Sequence, residues 1–329
     1  MAATAAAVGA ALGLSLFVIP ASADSETRQI VGVGSGITQD VLNGLGNAIP
    51  DPNGTPDNQL IQSYNATGGT PVTCRGGGTI QRPNGSSAGL HALRVDLYNP
   101  VVDCVDFARS SRGPDDVSTT LLTWIPFARE AVTTTVRSGS PLNDGVGFTT
   151  AELRAVYTCT KTTHNGVVLK PLLPVPYSET RTFFLGKIGV QEAQVGTCVN
   201  GTVPESDGTV LTDIGHVAPY SIAHYIAQTS GVVIDRHGVA VLTRVDGIAP
   251  RVAPAGKLNP AFPYSRDVYN VVPTAKVDGL APDDADLKKA FVGSSSDVCL
   301  QAAIIENYGF GTSCGSVTLR GHFPPEADS

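Results

Sequence analysis

The stretch Asn84-Gly85-Ser86-Ser87-Ala88-Gly89 runs into Leu90, Leu93 and Leu97, which recur at the spacing of one helix face. The segment therefore predicts a turn rich in glycine and hydroxyl groups that opens a helix. At such a start the first backbone N–H groups have no partner within the helix, and the helix dipole favours negative charge. This stretch thus predicts a site for a small anion.

Two further segments repeat this pattern. Gly34-Ser35-Gly36-Ile37-Thr38 precedes apolar residues at helical spacing, and so does Ser178-Glu179-Thr180-Arg181. Several helix starts of this kind favour a protein that binds a small oxyanion and does not transform it. Strand-like and helix-like segments alternate along the chain, which predicts an α/β fold. Among them we expect a strand at 104–108, separate strands at 121–127 and 131–136, and a C-terminal helix over 298–308.

The composition narrows the class of protein. The 329 residues are 42% hydrophobic and 16% charged, enough for one large or two ordinary domains with a buried core. A formal net charge of -7 argues against nucleic acid as a partner, because that surface has to be basic. The six histidines show no metal-ligand spacing, and no complete dinucleotide motif occurs, so we expect neither a metal nor a cofactor.

The N-terminal segment predicts export. Residues 2–23 are apolar and end in Ala21-Ser22-Ala23, a small-residue cleavage pattern, so residues 1–23 are interpreted as a signal peptide cleaved near Ala23. An uncleaved N-terminal anchor is the main alternative. After cleavage the protein would be extracellular, periplasmic or in the cell envelope.

The number of cysteines fits an oxidising compartment. Six cysteines allow 15 pairings, and buried free thiols are the alternative. We favour the sequential pairing, because it closes three short loops. The predicted disulfides are Cys74–Cys104, Cys159–Cys198 and Cys299–Cys314.

Four stretches, taken in order, resemble the phosphate-type substrate-binding proteins of ABC importers. Residues 34–38 are similar to that family's first ligand loop, and residues 85–89 to its Gly-Ser-Ser/Gly-Gly loop. Residues 105–111 are similar to its Asp-Phe strand end, and residues 178–180 to its Ser-Gly-Thr loop. The resemblance implies a type II periplasmic-binding fold, which has two α/β lobes joined by two crossover segments.

The same resemblance implies a domain division and a function. Lobe 1 would comprise residues 24–123 and 271–329, and lobe 2 residues 124–270, with crossover-like stretches at 124–136 and 262–272. A monomer would capture inorganic phosphate or a similar oxyanion in the cleft and deliver it to ABC permease subunits. The implied ligand-binding residues are Ser35, Gly36, Ile37, Thr38, Ser86, Ser87, Ser110, Ser111, Ser178, Thr180 and Arg181.

Two residues depart from the family pattern. Ser111 stands where the family commonly has an Asp, whose carboxylate accepts a proton from hydrogen phosphate. A hydroxyl can donate to any anion, so we expect poor discrimination between phosphate and sulfate. Glu179 replaces a Gly, and its negative charge would weaken phosphate binding unless the side chain points away.

Two alternatives stay open at this point. Gly85-x-Ser87-x-Gly89 matches the nucleophile elbow of serine hydrolases, with Asp213 and His216 or His224 as potential partners. Pro83 interrupts the strand that this motif requires, which weighs against an enzyme. The third interpretation is a binding-protein fold reused as a secreted protein without a role in transport, and the sequence does not separate this from an importer component.

Overall fold

The computed structural model describes residues 28–54, 58–68, 70–99, 101, 103–279 and 284–323. The predicted signal peptide, residues 1–23, lies outside the described residues. The described helices are α1 (Gln39–Ala48), α2 (Ser86–Tyr98), α3 (Thr150–Tyr157), α4 (Glu179–Ile188), α5 (Ile222–Ser230), α6 (Thr274–Asp278), α7 (Ala285–Phe291), α8 (Asp297–Leu300) and α9 (Ala302–Asn307), with short 3-10 helices at Glu192–Gln194 and Gly208–Val210.

The described strands, in chain order, are β1 (Ile30–Gly34), β2 (Ile61–Ser63), β3 (Val72–Thr73), β4 (Thr79–Ile80), β5 (Phe107–Ser110), β6 (Leu122–Arg137), β7 (Thr163–His164), β8 (Val167–Val168), β9 (Lys170–Pro174), β10 (Asn200–Val203), β11 (His216–Ser221), β12 (Ala240–Leu242), β13 (Arg251–Val252), β14 (Lys257–Leu258), β15 (Ser265–Pro273), β16 (Gly311–Thr312) and β17 (Arg320–Gly321). Together with the helices they form the α/β fold that the alternating pattern predicts.

Two parallel groups of strands make up the main sheet. Its order is β10-β9-β11-β6-β15-β5-β1-β2, and β12, β16 and β17 also pair with β6. Strand β1 is parallel to β2 and β5, and β9 is parallel to β10 and β11. The antiparallel strands β6 and β15 connect the two groups. Parallel neighbours need crossover connections, and α1 and α2 supply these between β1, β2 and β5.

The core changes from one lobe to the other along these two strands. On β6, Ile125 and Ala128 pack in one apolar cluster, whereas Ala131 and Val136 pack in another. On the return path, Tyr264 belongs to the second cluster and Val268 to the first. The predicted boundaries at 123/124 and 270/271 therefore fall inside β6 and β15.

The prediction of two strands over this region was wrong, because β6 is continuous for 16 residues. Pro126 has no N–H, and the register of β15 shifts beside it, between Val268 and Tyr269. Such a bulge lets a proline sit within a paired strand. The charged residue Glu130, which lies between the two predicted strands, is buried and pairs with Arg266 of β15 at 2.7 Å.

Two smaller predictions also need correction. The expected helix over 298–308 is divided into α8 and α9 by tight turns at Gln301, whose N–H donates to the Val298 carbonyl at 3.1 Å and whose carbonyl accepts from the Ile304 N–H at 2.9 Å. The strand expected at 104–108 begins at Phe107, because the backbone N–H of Val31 donates to the Asp106 carboxylate and not to a carbonyl at this point.

The structure contains the three disulfides of the sequential pairing, Cys74–Cys104, Cys159–Cys198 and Cys299–Cys314. They close loops with sequence separations of 30, 39 and 15 residues. In the chain-entropy model, each bridge over such a separation stabilises the fold by about 3–4 kcal/mol. Within the part of the chain that the structure describes, no helix has the length and apolar character needed to cross a membrane.

Candidate functional site

Two glycines bring the first two predicted loops into direct contact. Gly34 ends β1 with a φ of +120°, and Gly89 lies in the first turn of α2. A Cβ atom added at Gly89 would lie only 2.6 Å from the Cα of Gly34, so the helix and the strand approach at a distance that no side chain permits. This contact sets the start of α2 beside the residues that follow β1.

Three buried serines meet at this point, and we call Ser35, Ser86 and Ser111 the serine cluster. Ser35 follows β1, Ser86 begins α2, and Ser111 follows β5. The Ser111 N–H donates to the Ser86 Oγ at 2.9 Å, and the Oγ atoms of these two serines are 3.4 Å apart. The serine cluster therefore lies where two parallel strands end and a helix begins, where free N–H groups and the helix dipole favour an anion.

A carboxylate from the other lobe occupies the serine cluster. Glu179 is the first residue of α4, and its carboxylate accepts the Ser35 Oγ–H at 2.6 Å and the Ser86 N–H at 2.9 Å. The Ser86 Oγ–H donates to the same carboxylate. The Glu179 side chain thus points into the serine cluster and not away from it, and its oxygens stand in for those of an anion.

A buried guanidinium lies directly behind these groups. Arg109 has no exposed surface, and its donors bind the carbonyls of Ser35 (3.2 Å), Tyr64 (2.7 Å) and Gly34 (3.3 Å) and the Ser63 Oγ (2.6 Å). Burial lowers the pKa of Arg109 to about 10, and the negative charge of Glu179 opposes that shift. Arg109 is therefore cationic at neutral pH and supplies positive charge beneath the serine cluster.

Several other predicted residues lie around the cleft. Gly36 and Ile37 line it between Ser35 and Thr38, and Ser178 lines it as the N-cap of α4. Thr38 and Thr180 are fully buried, and their Oγ1 atoms make no hydrogen bond to any other described residue. A buried hydroxyl without a partner costs free energy, so the described residues leave both of these hydroxyls unsatisfied.

Three predicted side chains are engaged elsewhere. The Ser87 Oγ accepts a hydrogen bond from Arg112 at 3.1 Å, because it projects from a different side of α2 than Ser86 does. The Ser110 Oγ donates to the Arg112 carbonyl at 2.7 Å within a tight turn. Arg181 faces the interior of lobe 2, where it binds Glu192 and the carbonyls of Pro174 and Gly201. The geometry thus separates these three side chains from the serine cluster.

Beside the serine cluster lies a cavity of about 810 Å³ between the lobes. Asp40 and Asn43 of α1 line one wall, and Glu205 and His224 line the other. The pKa of Glu205, which lines the cavity, is raised, chiefly by desolvation and also by the nearby negative charge of Glu179, while hydrogen bonds from the Thr180 backbone N–H and from Ser178 oppose the rise. His224 Nε2 and Asp40 Oδ2 approach to 3.8 Å across the cleft.

The groups of the hydrolase alternative do not come together. Ser87 contacts Arg112, Asp213 contacts His216, and His224 contacts Asp40. Within the described residues, no hydrogen bond joins Ser87 to a histidine. The same residues include no group of three or more His, Cys, Asp or Glu side chains placed to hold a metal ion.

The ligand-binding residues expected from the sequence include neither Arg109 nor Glu179, although both lie at the serine cluster. Arg109 lies in the β5 segment Phe107–Ser110, all of which is buried, and a charged residue inside such a strand was the available signal. Glu179 was noted only as a departure, because its contacts come from residues 93 and 144 positions away in sequence.

Comparison with solved structures identifies the fold. The chain matches an ABC-type phosphate transport receptor from Vibrio cholerae with 15% identity and a TM-score of 0.57, over 86% of this chain and 100% of that one. It matches a putative phosphate ABC transporter substrate-binding protein from Clostridium perfringens, solved with bound phosphate, with 14% identity and a TM-score of 0.54, over 86% and 99% of the two chains. A DING protein matches with 14% identity and a TM-score of 0.50, over 86% and 90%.

The resemblance inferred from the sequence is confirmed at the level of the fold, which is the type II periplasmic-binding fold of phosphate-type substrate-binding proteins. Neither a protein-family model nor a curated protein matches the sequence. The matched structures named for phosphate transport are a receptor and a substrate-binding protein, and not enzymes.

Proposed function

We propose that the protein is an exported solute-binding protein that captures a small oxyanion, with inorganic phosphate as the first candidate, for ABC-type uptake. The observation that carries this proposal is the convergence of hydrogen-bond donors on one carboxylate. Two hydroxyls and one backbone N–H, all from the serine cluster, point at the Glu179 carboxylate. Donors held in this way suit the oxygens of a phosphate equally well.

The charge of the surroundings favours an anionic ligand over a neutral one. Arg109 is cationic and fully buried, and its hydrogen bonds go to carbonyls and a hydroxyl, none of which neutralises it. A buried charge without a counter-ion is unfavourable, so an anion in the serine cluster stabilises the whole arrangement. Glu179 supplies that charge in the closed structure.

Donors from both lobes would complete the site. We place Thr38, Gly36 and Ile37 on the lobe 1 side, and Ser178 and Thr180 on the lobe 2 side. Ligand binding would then favour closure of the cleft, as in hinge-bending binding proteins. Delivery to a permease belongs to the same proposal and is supported by the names of the Vibrio and Clostridium proteins. A monomeric state and cleavage of the leader near Ala23 also belong to it and rest on the sequence.

The test is calorimetric titration of the exported protein with phosphate, sulfate and phosphate esters, paired with thermal unfolding. An anion at 100 times its Kd stabilises the native state by about 2.7 kcal/mol. Thr38→Val removes a hydroxyl that bonds no described residue, so the fold should keep its stability. The lost bond to an anion should weaken binding by roughly tenfold or more.

Ser87→Ala is the matched control, since it also deletes one hydroxyl from a helix start but one that faces Arg112. We expect it to leave the anion affinity unchanged. The proposal fails if no oxyanion binds, or if Thr38→Val and Ser87→Ala affect binding equally. Esterase turnover that disappears in Ser87→Ala would instead favour the hydrolase interpretation.

A further inference from the structure

The Glu179 carboxylate is bound by Ser35 and Ser86 at the place where we propose that an anion binds. We infer that Glu179 is a specificity-determining residue, an internal anion that occupies the serine cluster and that an external oxyanion has to displace. This inference rests on the proposed function. Its evidence is that α4 begins on lobe 2, whereas the described donors to the Glu179 carboxylate come from Ser35 and Ser86 on lobe 1.

The serine cluster binds both oxygens of the Glu179 carboxylate, as a binding site would bind a ligand. One carboxylate oxygen accepts from Ser35, and the other accepts two hydrogen bonds from Ser86. Hydrogen bonds to an ionised acceptor are about twice as strong as neutral ones. These bonds join residues that are 144 and 93 positions apart in sequence. They therefore hold the two lobes together and do not stabilise a local turn.

The buried cation gives this contact its electrostatic role. Among the charges that affect the pKa of Arg109, Glu179 is the strongest that favours the charged form, ahead of Asp40. Glu179 therefore acts as the counter-ion of Arg109 from across the cleft. Withdrawing it leaves the serine donors and the buried cation without an anion, and this is the state that an external oxyanion would fill.

Competition of this kind lowers the affinity for every anion. An incoming oxyanion has to replace the bonds of Glu179 and then coexist with a displaced carboxylate in the same cleft. Only an anion that makes additional bonds, for example to the unpartnered hydroxyls of Thr38 and Thr180, gains a net advantage. The internal carboxylate thus selects for ligands that contact both lobes.

The experiment compares wild type with Glu179→Ala and Glu179→Gln by phosphate titration, and measures the radius of gyration by small-angle X-ray scattering without ligand. We expect Glu179→Ala to bind phosphate at least tenfold more tightly than wild type. Glu179→Gln should lie in between, because an amide still accepts a hydrogen bond but carries no charge. Both variants should be more expanded than wild type in the absence of phosphate.

Asp40→Asn is the control for charge alone. It also removes one negative charge from the cleft, but Asp40 does not bond the serine cluster. Its gain in affinity should be smaller than that of Glu179→Ala. An equal gain in the two variants would overturn the inference, as would unchanged affinity and unchanged size in Glu179→Ala.

The two proposals fail separately. If no variant binds phosphate, sulfate or a phosphate ester but Glu179→Ala is expanded, Glu179 still joins the lobes and the proposed function fails. If wild type binds phosphate and Glu179→Ala binds it no better, the proposed function stands and the internal anion is overturned. Should Glu179→Ala not fold, the same comparison is decided with Glu179→Gln.

Discussion

Replacing Gly89 by alanine tests the contact that positions the serine cluster. The added Cβ would lie 2.6 Å from the Cα of Gly34 and 3.1 Å from the carbonyl oxygen of Val33. Carbon atoms in ordinary contact are about 3.5–4.0 Å apart, so α2 and β1 have to separate by roughly 1 Å. Overpacking of this kind typically costs about 1–3 kcal/mol. We therefore expect Gly89→Ala to lower the free energy of unfolding by that amount in urea titrations.

The sign of the change is diagnostic, because the same substitution in an uncrowded helix normally stabilises it by about 0.5–1 kcal/mol. Gly186 provides that comparison, since it lies in α4 and an added Cβ would meet no atom within 4 Å. Gly186→Ala should stabilise the protein, whereas Gly89→Ala should destabilise it. The reasoning is refuted if Gly89→Ala has the same free energy of unfolding as wild type and the same slope of that free energy against urea concentration. The close approach of α2 to β1 would then not depend on a glycine at this position.

Three further predictions concern selectivity, pH and the cysteines. Wild type should bind phosphate and sulfate with similar affinity, and Ser111→Asp should weaken sulfate binding by roughly tenfold, about 1.4 kcal/mol; calorimetry that shows a thousandfold rejection of sulfate by wild type would contradict this. The folded-state pKa of Glu205 is raised above its ordinary value of 4.5, so its contribution to stability is present below that value and is lost as the pH rises through the folded pKa. Glu205→Gln should therefore gain stability relative to wild type between pH 4 and pH 8 in urea unfolding, and a difference independent of pH would refute it. Alkylation without reduction, followed by mass spectrometry, should label none of the six cysteines, and a label on any of them would contradict the three disulfides.

The starts of helices α2 and α4 could be predicted from the sequence. The apolar spacing after Gly85 and the capping residue Ser178 predicted helices α2 and α4, because a helix start depends on residues within one turn. The sequence also predicted the order of the loops, and hence the resemblance to phosphate-type binding proteins.

Contacts between distant segments could not be predicted in the same way. Two strands were predicted where β6 is continuous, because the partner of the buried Glu130 between them, Arg266, is 136 residues away. Arg181 looked like an anion ligand, but Glu192 binds it from a 3-10 helix that has no recognisable pattern. The position of Glu179 depends on how the lobes close, and no local spacing encodes that arrangement.

The placement of the disulfides has a consequence for biogenesis. Cys74 and Cys104 pack in a single apolar cluster, and the other two bridges, Cys159–Cys198 and Cys299–Cys314, join residues 39 and 15 positions apart. Each of the three bridges therefore closes a loop within one stretch of the chain. Cys159–Cys198 lies in the central, continuous part of the chain, so in the proposed export this bridge can form before the C-terminal segment emerges. Cys299–Cys314 can form only when the C-terminal segment has emerged. Oxidation can thus proceed in chain order without locking the lobes together, and a mispaired cysteine in one lobe leaves the other lobe free to mature.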